Sequence, residues 1–220
     1  MTEATTRDFG TVGILGGTGP QGRGLAVRLA QAGVSVVLGS RDAARATEIA
    51  TTLGHGILGA DNDTCARDSD MVIVAVPWDG HGALLTSLAP SLQNKIVIDC
   101  VNPLGFDKQG PYALAVAAGS ACEQAQSLLP DSVVVGAFHH LSAELLEDPQ
   151  VVSIDADVLV LGDDRDATDT VQALAEQIPG IRGMYAGRLR NAHQVEAFTA
   201  NLIAINRRYK THSGVRIAGV

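Results

Sequence analysis

The sequence predicts an α/β protein with a doubly wound parallel sheet. Short runs of apolar, β-branched residues alternate with segments of helical periodicity. The runs are apolar almost throughout, which is typical of parallel strands that helices cover on both faces. The predicted strands are Thr11–Leu15, Val34–Leu38, Met71–Val76, Lys95–Asp99, Val133–Ala137, Val158–Leu161 and Gly183–Ala186.

Helices are predicted between these strands from their apolar faces and end signals. Gly33 stands where a glycine commonly ends a helix, and Ser120 with Glu123 has the spacing of a capping box, in which each side chain satisfies a free backbone amide. The predicted helices are Pro20–Ala32, Ala43–Leu53, a helix from about Ser120 to Leu129, Asp166–Ile178 and Asn191–Tyr209.

The last predicted helix carries an apolar stripe. Val195, Phe198, Leu202, Ile205 and Tyr209 follow one another at steps of three and four residues. Such a stripe packs either in the core or against a second subunit, and the pattern leaves both interpretations open.

Length, charge and cysteine content limit the class of protein. A chain of 220 residues can hold one sizeable α/β domain, or a domain of about 150 residues with a smaller partner. Its net charge of -8 offers no basic face for nucleic acid. Three widely spaced cysteines fit neither a disulfide framework nor a zinc site, so we expect reduced thiols and no bound metal. Because the sequence shows no secretory signal and no long apolar run, we expect a cytoplasmic protein with no membrane contact.

A glycine-rich stretch follows the first predicted strand. Residues 17–22 read G-T-G-P-Q-G, a G-x-G-x-x-G pattern placed directly after a strand and at the start of a helix. We expect Gly17 to make the tight turn, Gly19 to let a pyrophosphate approach the main chain, and Gly22 to allow close helix packing. The amides at the helix start would face the phosphates, and Pro20 is tolerated there. This context predicts a Rossmann dinucleotide site, and a glycine turn without a ligand is the alternative.

The end of the second predicted strand distinguishes NADP from NAD. An NAD site offers a carboxylate to the ribose at this position, whereas here the sequence is Gly39-Ser40-Arg41. Ser40 and Arg41 can donate to a 2′-phosphate, and Arg45 lies one helical turn beyond Arg41. The pattern favours NADP(H) held by two arginines. The alternative is a solvated surface pair, in which Asp42 binds Arg45 or caps the helix.

Ligands of open parallel sheets lie beyond the carboxyl ends of the strands. Those ends carry Val76-Pro77-Trp78, Asp99–Pro103 and Ala137–His140. Trp78 is the sole tryptophan, placed where a nicotinamide or flavin-like ring would lie, with a role as core anchor as the alternative. Of His139 and His140, at least one is expected to donate to a ring or a phosphate, and the sequence does not choose between them.

The sequence offers no dedicated set of residues for acid–base chemistry at these positions. It has no candidate Ser-His-Asp arrangement, no metal-ligand spacing and no lysine–aspartate pair at the strand ends. Hydride transfer to a redox cofactor requires only that two rings be held face to face with water excluded. The pattern therefore favours a redox cofactor as the second substrate.

Several motifs together resemble those of one family. They are GGTGPQGRGL at 16–25, GSR at 39–41, VPW at 76–78, NP at 102–103, HH at 139–140 and SGVRIAG at 213–219. With these in place from Val12 to the C-terminus, the chain resembles the NADPH-dependent reductases of coenzyme F420, the 8-hydroxy-5-deazaflavin hydride carrier. The resemblance implies direct hydride transfer between nicotinamide C4 and deazaflavin C5, in a homodimer of NADP-binding subunits.

The resemblance also implies site residues and a domain division. Regular βα alternation loosens after about residue 149, so we expect an NADP-binding Rossmann domain at 1–149 and a small C-terminal α/β domain at 150–220 that contributes to the dimer or the substrate pocket. The implied contacts are Thr18, Gly19, Pro20 and Gln21 at the NADP phosphates; Ser40, Arg41 and Arg45 at the 2′-phosphate; Val76, Pro77 and Trp78 at the ring pocket; and Asn102, His139 and Ala143 where the two rings meet. Trp78, Asn102 and His139 would position the rings, with no certain catalytic group.

Two other functions remain open at this point. The same NADP site could serve a reductase of another small acceptor, such as an imine, a flavin or a metal chelate. A non-catalytic NADPH-sensing protein could also use the fold for binding alone, because function resides in the site and not in the scaffold. Turnover of the deazaflavin separates these possibilities.

Overall fold

The computed structural model describes residues 8–220, so the first seven residues of the predicted first domain lie outside the described part. All the predicted strands are present, with ends that differ from the prediction by at most two residues. The strands are β1 (Thr11–Leu15), β2 (Ser35–Ser40), β3 (Leu58–Asp61), β4 (Met71–Val74), β5 (Ile96–Asp99), β6 (Leu104–Asp107), β7 (Gly110–Ala113), β8 (Val133–Gly136), β9 (Ala156–Leu161) and β10 (Ile181–Gly187). The sequence did not predict β3, β6 or β7, which contain glycine, proline or aspartate in place of a continuous apolar run.

The predicted helices are also present, including the one expected after the strand Met71–Val76, and two more occur in the described residues. The helices are α1 (Pro20–Gln31), α2 (Ala43–Leu53), α3 (Asn62–Asp68), α4 (Trp78–Leu92), α5 (Ala121–Leu128), α6 (Ala143–Glu147), α7 (Arg165–Ala175) and α8 (Ala192–Tyr209), with a 3₁₀ turn at Leu189–Asn191 before α8. None of the helices in residues 8–220 combines the length and apolar character that a membrane span requires.

Aspartate and serine side chains fix several helix starts. Asp42, Asp61 and Asp164 each accept a hydrogen bond from the backbone amide three residues further on. Ser120 does the same for α5, as the capping box predicts. The carboxylate of Glu123, however, accepts from the Ser120 hydroxyl and not from a free amide as predicted. The first two amides of α5 are instead bound by Glu196, a residue of α8 that local sequence could not reveal.

Eight strands form one sheet in the order β10-β9-β8-β5-β4-β1-β2-β3. Neighbouring strands from β8 to β3 are parallel, which confirms the predicted doubly wound architecture. The junction between β8 and β9 is antiparallel, and β9 and β10 are parallel to each other. Residues 150–220 therefore extend the same sheet, and the division into two domains at residue 149 stays a prediction.

The core consists of two layers, one on each face of the sheet. In β4, Ile73 belongs to the layer with α1, α2 and α7, whereas Val72 and Val74 belong to the layer with α3, α4 and α5. All three side chains are fully buried. This alternation in a continuous apolar strand is what burial on both faces requires. Because β1, β4, β5 and β8 are parallel to one another, their carboxyl ends lie at a common edge of the sheet.

Candidate functional site

The turn after β1 requires glycine at two adjacent positions, for different reasons. Gly16 has a φ of +74°, and a Cβ there would lie 2.5 Å from the Ala75 carbonyl oxygen. Gly17, which we expected to make the tight turn through its backbone conformation, instead lacks room, because a Cβ would lie 2.7 Å from Leu38. The tight turn is thus made at Gly16, one residue before the predicted motif.

The other two glycines of the motif differ in what surrounds them. A Cβ on Gly22 would lie 2.7 Å from the Gly17 Cα, so this glycine allows the close packing that was predicted. A Cβ on Gly19 would meet only the Gly16 carbonyl oxygen, at 3.4 Å. Space beside Gly19 is therefore open within the described chain, and Gly19 lines a cleft in which a ligand could approach the main chain.

A cleft of about 720 Å³, here called the first cleft, lies over this turn and the ends of β2 and β4. The helix α1 points its N-terminus into it, with Pro20 in the first turn and no acidic side chain there. The positive end of the helix dipole and its free amides suit phosphate groups. Predicted residues that line the first cleft are Thr18, Gly19, Pro20, Ser40, Arg41, Arg45, Val76 and Pro77.

The two arginines at the end of β2 are exposed in the first cleft. Asp42 caps α2 by accepting from the Arg45 backbone amide at 3.1 Å, which confirms the capping alternative for Asp42. Ion pairs in residues 8–220 involve other arginines, namely Arg23, Arg67, Arg165, Arg182, Arg188 and Arg216. Arg41 and Arg45 therefore keep their guanidinium groups available for an anion.

Arg23 is a residue of the first cleft that the sequence analysis missed. Its Nε donates to Glu147 of α6 at 2.6 Å, and its Nη1 donates to the Thr18 carbonyl oxygen at 3.0 Å. Arg23 therefore links the glycine turn to α6 beside the N-terminus of α1. The local signal was the basic residue within PQGRG, which the prediction treated only as part of the helix.

A second cleft of about 400 Å³ adjoins the first. The two clefts share Ala75, Val76 and Pro77, which follow β4. Predicted residues in the second cleft are Gln21, Val76, Pro77, Trp78, Asn102, His139 and Ala143, together with His140. The structure thus brings the predicted site residues into two connected spaces, except for Gly17 and Gly22, which pack beneath the turn.

Helix α8 and the segment after it contribute to the second cleft. The contributing residues are Thr199, Leu202, Ile203, Asn206 and Ser213. The sequence analysis included Leu202 as part of the apolar stripe and Ser213 only as the first residue of the SGVRIAG motif. It assigned none of the five to a cleft, because residues some 60 positions away from the rest of the lining leave no local pattern. Ser213 is held by the side chain of Asn206, which accepts from both its amide and its hydroxyl.

Of the two adjacent histidines, His140 is hydrogen-bonded to the backbone and His139 is buried. The Nε2 of His140 lies 2.9 Å from the Val195 carbonyl oxygen, to which it donates. Burial lowers the pKa of His139 to about 3, so its imidazole is neutral at neutral pH. The His139 Nδ1 atom has no hydrogen-bond partner within the described chain. The His140 Nε2 donor is thus used within the protein, and donation from His139 to a ring or a phosphate stays a prediction.

Asn102 secures the loop around His139. Its Nδ2 donates to the His139 carbonyl oxygen at 3.1 Å, and the Thr199 hydroxyl donates to the same oxygen at 3.2 Å. Just before, Phe138 has a φ of +63°, a conformation that non-glycine residues seldom adopt, and Gln21 donates to its carbonyl oxygen. The amide of Asn102 thus shapes the second cleft through the backbone.

Cys122, His139 and Glu196 are neighbouring buried side chains whose atoms could bind a metal. Cys122 Sγ, a His139 nitrogen and a Glu196 oxygen all lie within 4.8 Å of one another. Both Glu196 oxygens already accept amides at the start of α5, at 2.9 and 3.1 Å. Burial raises the pKa of the Cys122 thiol and of Glu196. Glu196 is thus accounted for as a buried cap of α5.

The fold and the two clefts define a Rossmann-type dinucleotide-binding protein. A family model described as "NADP oxidoreductase coenzyme F420-dependent" matches residues 11–103. The F420-dependent NADP reductase of Methanothermobacter marburgensis is 36% identical, over 95% of this chain and 98% of its own length. That of Methanocaldococcus jannaschii is 34% identical, over 95% and 98%. This chain belongs to the family of F420-dependent NADP reductases.

A solved structure agrees with this assignment. The crystal structure of a candidate F420-dependent NADP reductase from Arthrobacter sp. FB24 superposes with a TM-score of 0.82 at 26% identity. The superposition covers 96% of this chain and 99% of that one. The likeness therefore includes the strands and helices that follow residue 149.

Proposed function

We propose that this protein transfers hydride directly between C4 of NADP(H) and C5 of the deazaflavin coenzyme F420. The observation that carries the proposal is the shared wall of the two clefts, formed by Ala75, Val76 and Pro77. The two clefts adjoin at these three residues. A nicotinamide at the inner end of the first cleft and a deazaflavin in the second cleft would therefore lie next to each other. Such contact supplies the proximity and orientation that hydride transfer needs.

Residues of the first cleft would bind NADP(H) by its charged groups. Arg41 and Arg45, which have no ion-pair partner in the described chain, would hold the 2′-phosphate together with the buried Ser40. The amides of Thr18–Gln21 at the start of α1 would receive the pyrophosphate. These groups fit the cofactor because they attract its phosphates locally, although the whole chain carries a net charge of -8.

Residues of the second cleft would orient the deazaflavin and exclude water. Trp78 would border the ring, and Asn102, His139 and Ala143 would lie near the meeting point of the two rings. His139 stays neutral because of burial, so it adds no charge beside the reacting atoms. The protein would thus act by alignment and desolvation and not through a named general acid.

A spectroscopic assay tests the proposal. Loss of the visible absorbance of purified coenzyme F420 should follow mixing with the protein and NADPH, and should be much slower with NADH or with riboflavin as acceptor. With NADPH dideuterated at C4, deuterium should be retained at C5 of the reduced deazaflavin in ordinary water. Loss of the label to water would contradict direct transfer, and no bleaching despite NADPH binding would favour another acceptor or an NADPH sensor.

The working form is proposed to be a homodimer in the cytoplasm. Phe198, Ile205 and Tyr209 on α8 leave 41%, 37% and 72% of their surface exposed, and Tyr112 of the neighbouring hairpin leaves 47% exposed. An apolar face of this kind suits a second copy of the chain. The three cysteines are buried and unpaired, which suits a reducing compartment.

Sedimentation tests the dimer. Leu202 is buried and lines the second cleft, so the exposed Ile205 is the better position for a disruptive charge. Ile205→Glu should sediment as a smaller particle than the unaltered protein, and His193→Glu, at an exposed position outside the stripe, should not. An unaltered protein that already sediments as a monomer would overturn the proposal.

A further inference from the structure

A buried pair of charged groups lies behind the second cleft. Neither His81 of α4 nor Asp99 at the end of β5 has any exposed side-chain surface, and His81 Nε2 lies 2.6 Å from Asp99 Oδ2. The sequence analysis named Asp99 only as part of a strand end and did not consider His81. The pair belongs neither to the lining of the clefts nor to the binding groups described above.

The partners of His81 indicate its protonation state. Its Nδ1 lies 3.1 Å from the Gln124 side-chain oxygen, and its Nε2 faces a carboxylate, so both nitrogens face acceptors. Burial lowers the pKa of His81, but the hydrogen bond and the charge of Asp99 outweigh it, with further contributions from Gln124 and Glu196, so the pKa is raised. An imidazolium paired with a carboxylate accounts for these contacts.

Each member of the pair contacts a residue that lines the second cleft, His81 contacting Trp78 and Asp99 contacting Val101. The Trp78 ring stacks on the His81 ring, with centroids 5.5 Å apart and planes 29° apart. Asp99 Oδ1 accepts from the Val101 amide at 2.9 Å, and Val101 lines the cleft beside Asn102. The pair therefore connects the start of α4 to the loop after β5, which border the cleft from two sides.

We propose that His81 and Asp99 are positioning residues, which fix Trp78 and the Val101 loop as the walls that orient the deazaflavin ring. The proposal rests on the assignment of the second cleft to the deazaflavin. A buried ion pair stabilises a fold no better than apolar residues of similar size, as a rule, because both charges lose their hydration. Its directed hydrogen bonds, however, specify orientation, and orientation is what an aligned hydride transfer requires.

The sole tryptophan provides a readout that needs no turnover. Protonated imidazole quenches the emission of a stacked indole, so Trp78 emission should titrate with His81, at a midpoint above 6.5. Asp99→Asn should lower that midpoint, because the paired charge is gone. His193→Gln, which removes an exposed histidine of α8, should leave the curve unchanged. The same titration curve in Asp99→Asn as in the unaltered protein would overturn the proposal.

Kinetics with coenzyme F420 supply the second readout. Asp99→Asn should lower kcat by about tenfold or more, because small misplacements of aligned groups have large effects, and should raise the isotope effect of C4-deuterated NADPH. The dissociation constant for NADPH should stay within about twofold, since neither residue lines the first cleft. Unchanged kcat and isotope effect in Asp99→Asn would show that the pair serves stability alone.

A matched variant separates positioning from general damage. Asp157 is also fully buried and ion-paired, with Arg182 and Arg216, but it lies in β9 and lines neither cleft. Asp157→Asn should lower Tm while kcat per folded molecule is kept. Should Asp99→Asn not fold, His81→Gln carries the same kinetic expectations, and its Trp78 emission should no longer titrate with pH. If the unaltered protein turns over no F420, the proposed function fails, and the emission titration still tests whether His81 and Asp99 fix the position of Trp78.

Discussion

The polar side chains at the two clefts differ in their exposure and in whether they have partners within the protein. In the first cleft, Arg41 and Arg45 are exposed and have no ion-pair partner in the described chain. Around the second, His81, Asp99 and Glu196 are buried and each is hydrogen-bonded within the protein. The first cleft is thus prepared to receive charge from a ligand, whereas the second is prepared to hold its own shape. On the proposed function, binding strength and ring alignment would come from separate parts of the molecule.

The largest expected effect is a loss of NADPH affinity in the first cleft. The double variant Arg41→Ala, Arg45→Ala should weaken NADPH binding by on the order of 100-fold, because two charge-assisted contacts to the 2′-phosphate are lost. NADH binding should change little, since NADH has no 2′-phosphate. Titration of both nucleotides against each protein measures the difference. Equal losses for NADPH and NADH would refute the assignment of these arginines.

Two glycine variants distinguish a glycine that the fold needs from a glycine that lines the ligand cleft. Gly22→Ala should lower the free energy of unfolding by about 1–3 kcal/mol, because its Cβ would press on the Gly17 backbone. Gly19→Ala should leave stability nearly unchanged and weaken NADPH binding, because its Cβ enters the first cleft. Denaturant unfolding and nucleotide titration distinguish the two. Equal stability of both variants would contradict the geometry.

The pH dependence of stability follows from the enclosed His139. Its pKa is about 3 in the folded protein, below the usual value of 6.5, so the unfolded chain binds a proton more readily. The contribution of His139 is complete above pH 6.5 and is lost as the pH falls towards 3, by about 1.4 kcal/mol per pH unit. Denaturant unfolding between pH 7 and 4 should show a shallower loss in His139→Gln. An identical slope in the variant would argue against a neutral, buried imidazole.

The smallest expected effect is confined to the second cleft. Asn102→Ala removes the donor to the His139 carbonyl oxygen, while the Thr199 hydroxyl can still donate to that oxygen. We expect KM for F420 to rise by about two- to tenfold, in line with one hydrogen bond, and NADPH affinity to stay unchanged. Steady-state kinetics with each substrate varied in turn measure both. A matching loss of NADPH affinity would show that the two clefts are not separate.

How far the sequence predicts each cleft depends on the span of chain that builds it. The first cleft is largely local, because Thr18–Pro20 and Ser40–Arg45 flank single strands and carry recognisable chemistry. Even there, the need for glycine at Gly16 depends on the carbonyl of Ala75, a contact between β1 and β4 that no local pattern encodes. Strands β6 and β7 escaped prediction for a similar reason, since their pairing, and not their composition, makes them strands.

The second cleft depends on contacts between distant segments. Asp99 and His81 are 18 residues apart, and Glu196 binds amides 74 and 75 residues away. The carboxyl ends of the parallel strands pointed to Trp78 and to the pair His139 and His140, whereas the places of Asn102 and His139 beside the rings were implied by the family resemblance. It could not find Thr199, Asn206 or the His81–Asp99 pair, whose roles follow from how the helices pack on the sheet.

Helix α8 has one side in the second cleft, through Thr199, Ile203 and Asn206, and an exposed apolar stripe that includes Phe198 and Ile205. A helix of 18 residues transmits small shifts along its length of about 27 Å as a nearly rigid rod. If the proposed dimer forms through the stripe and shifts α8, association would be thermodynamically linked to F420 binding: the factor by which association changes F420 affinity equals the factor by which F420 changes association. Enzyme concentration then becomes a variable of substrate affinity.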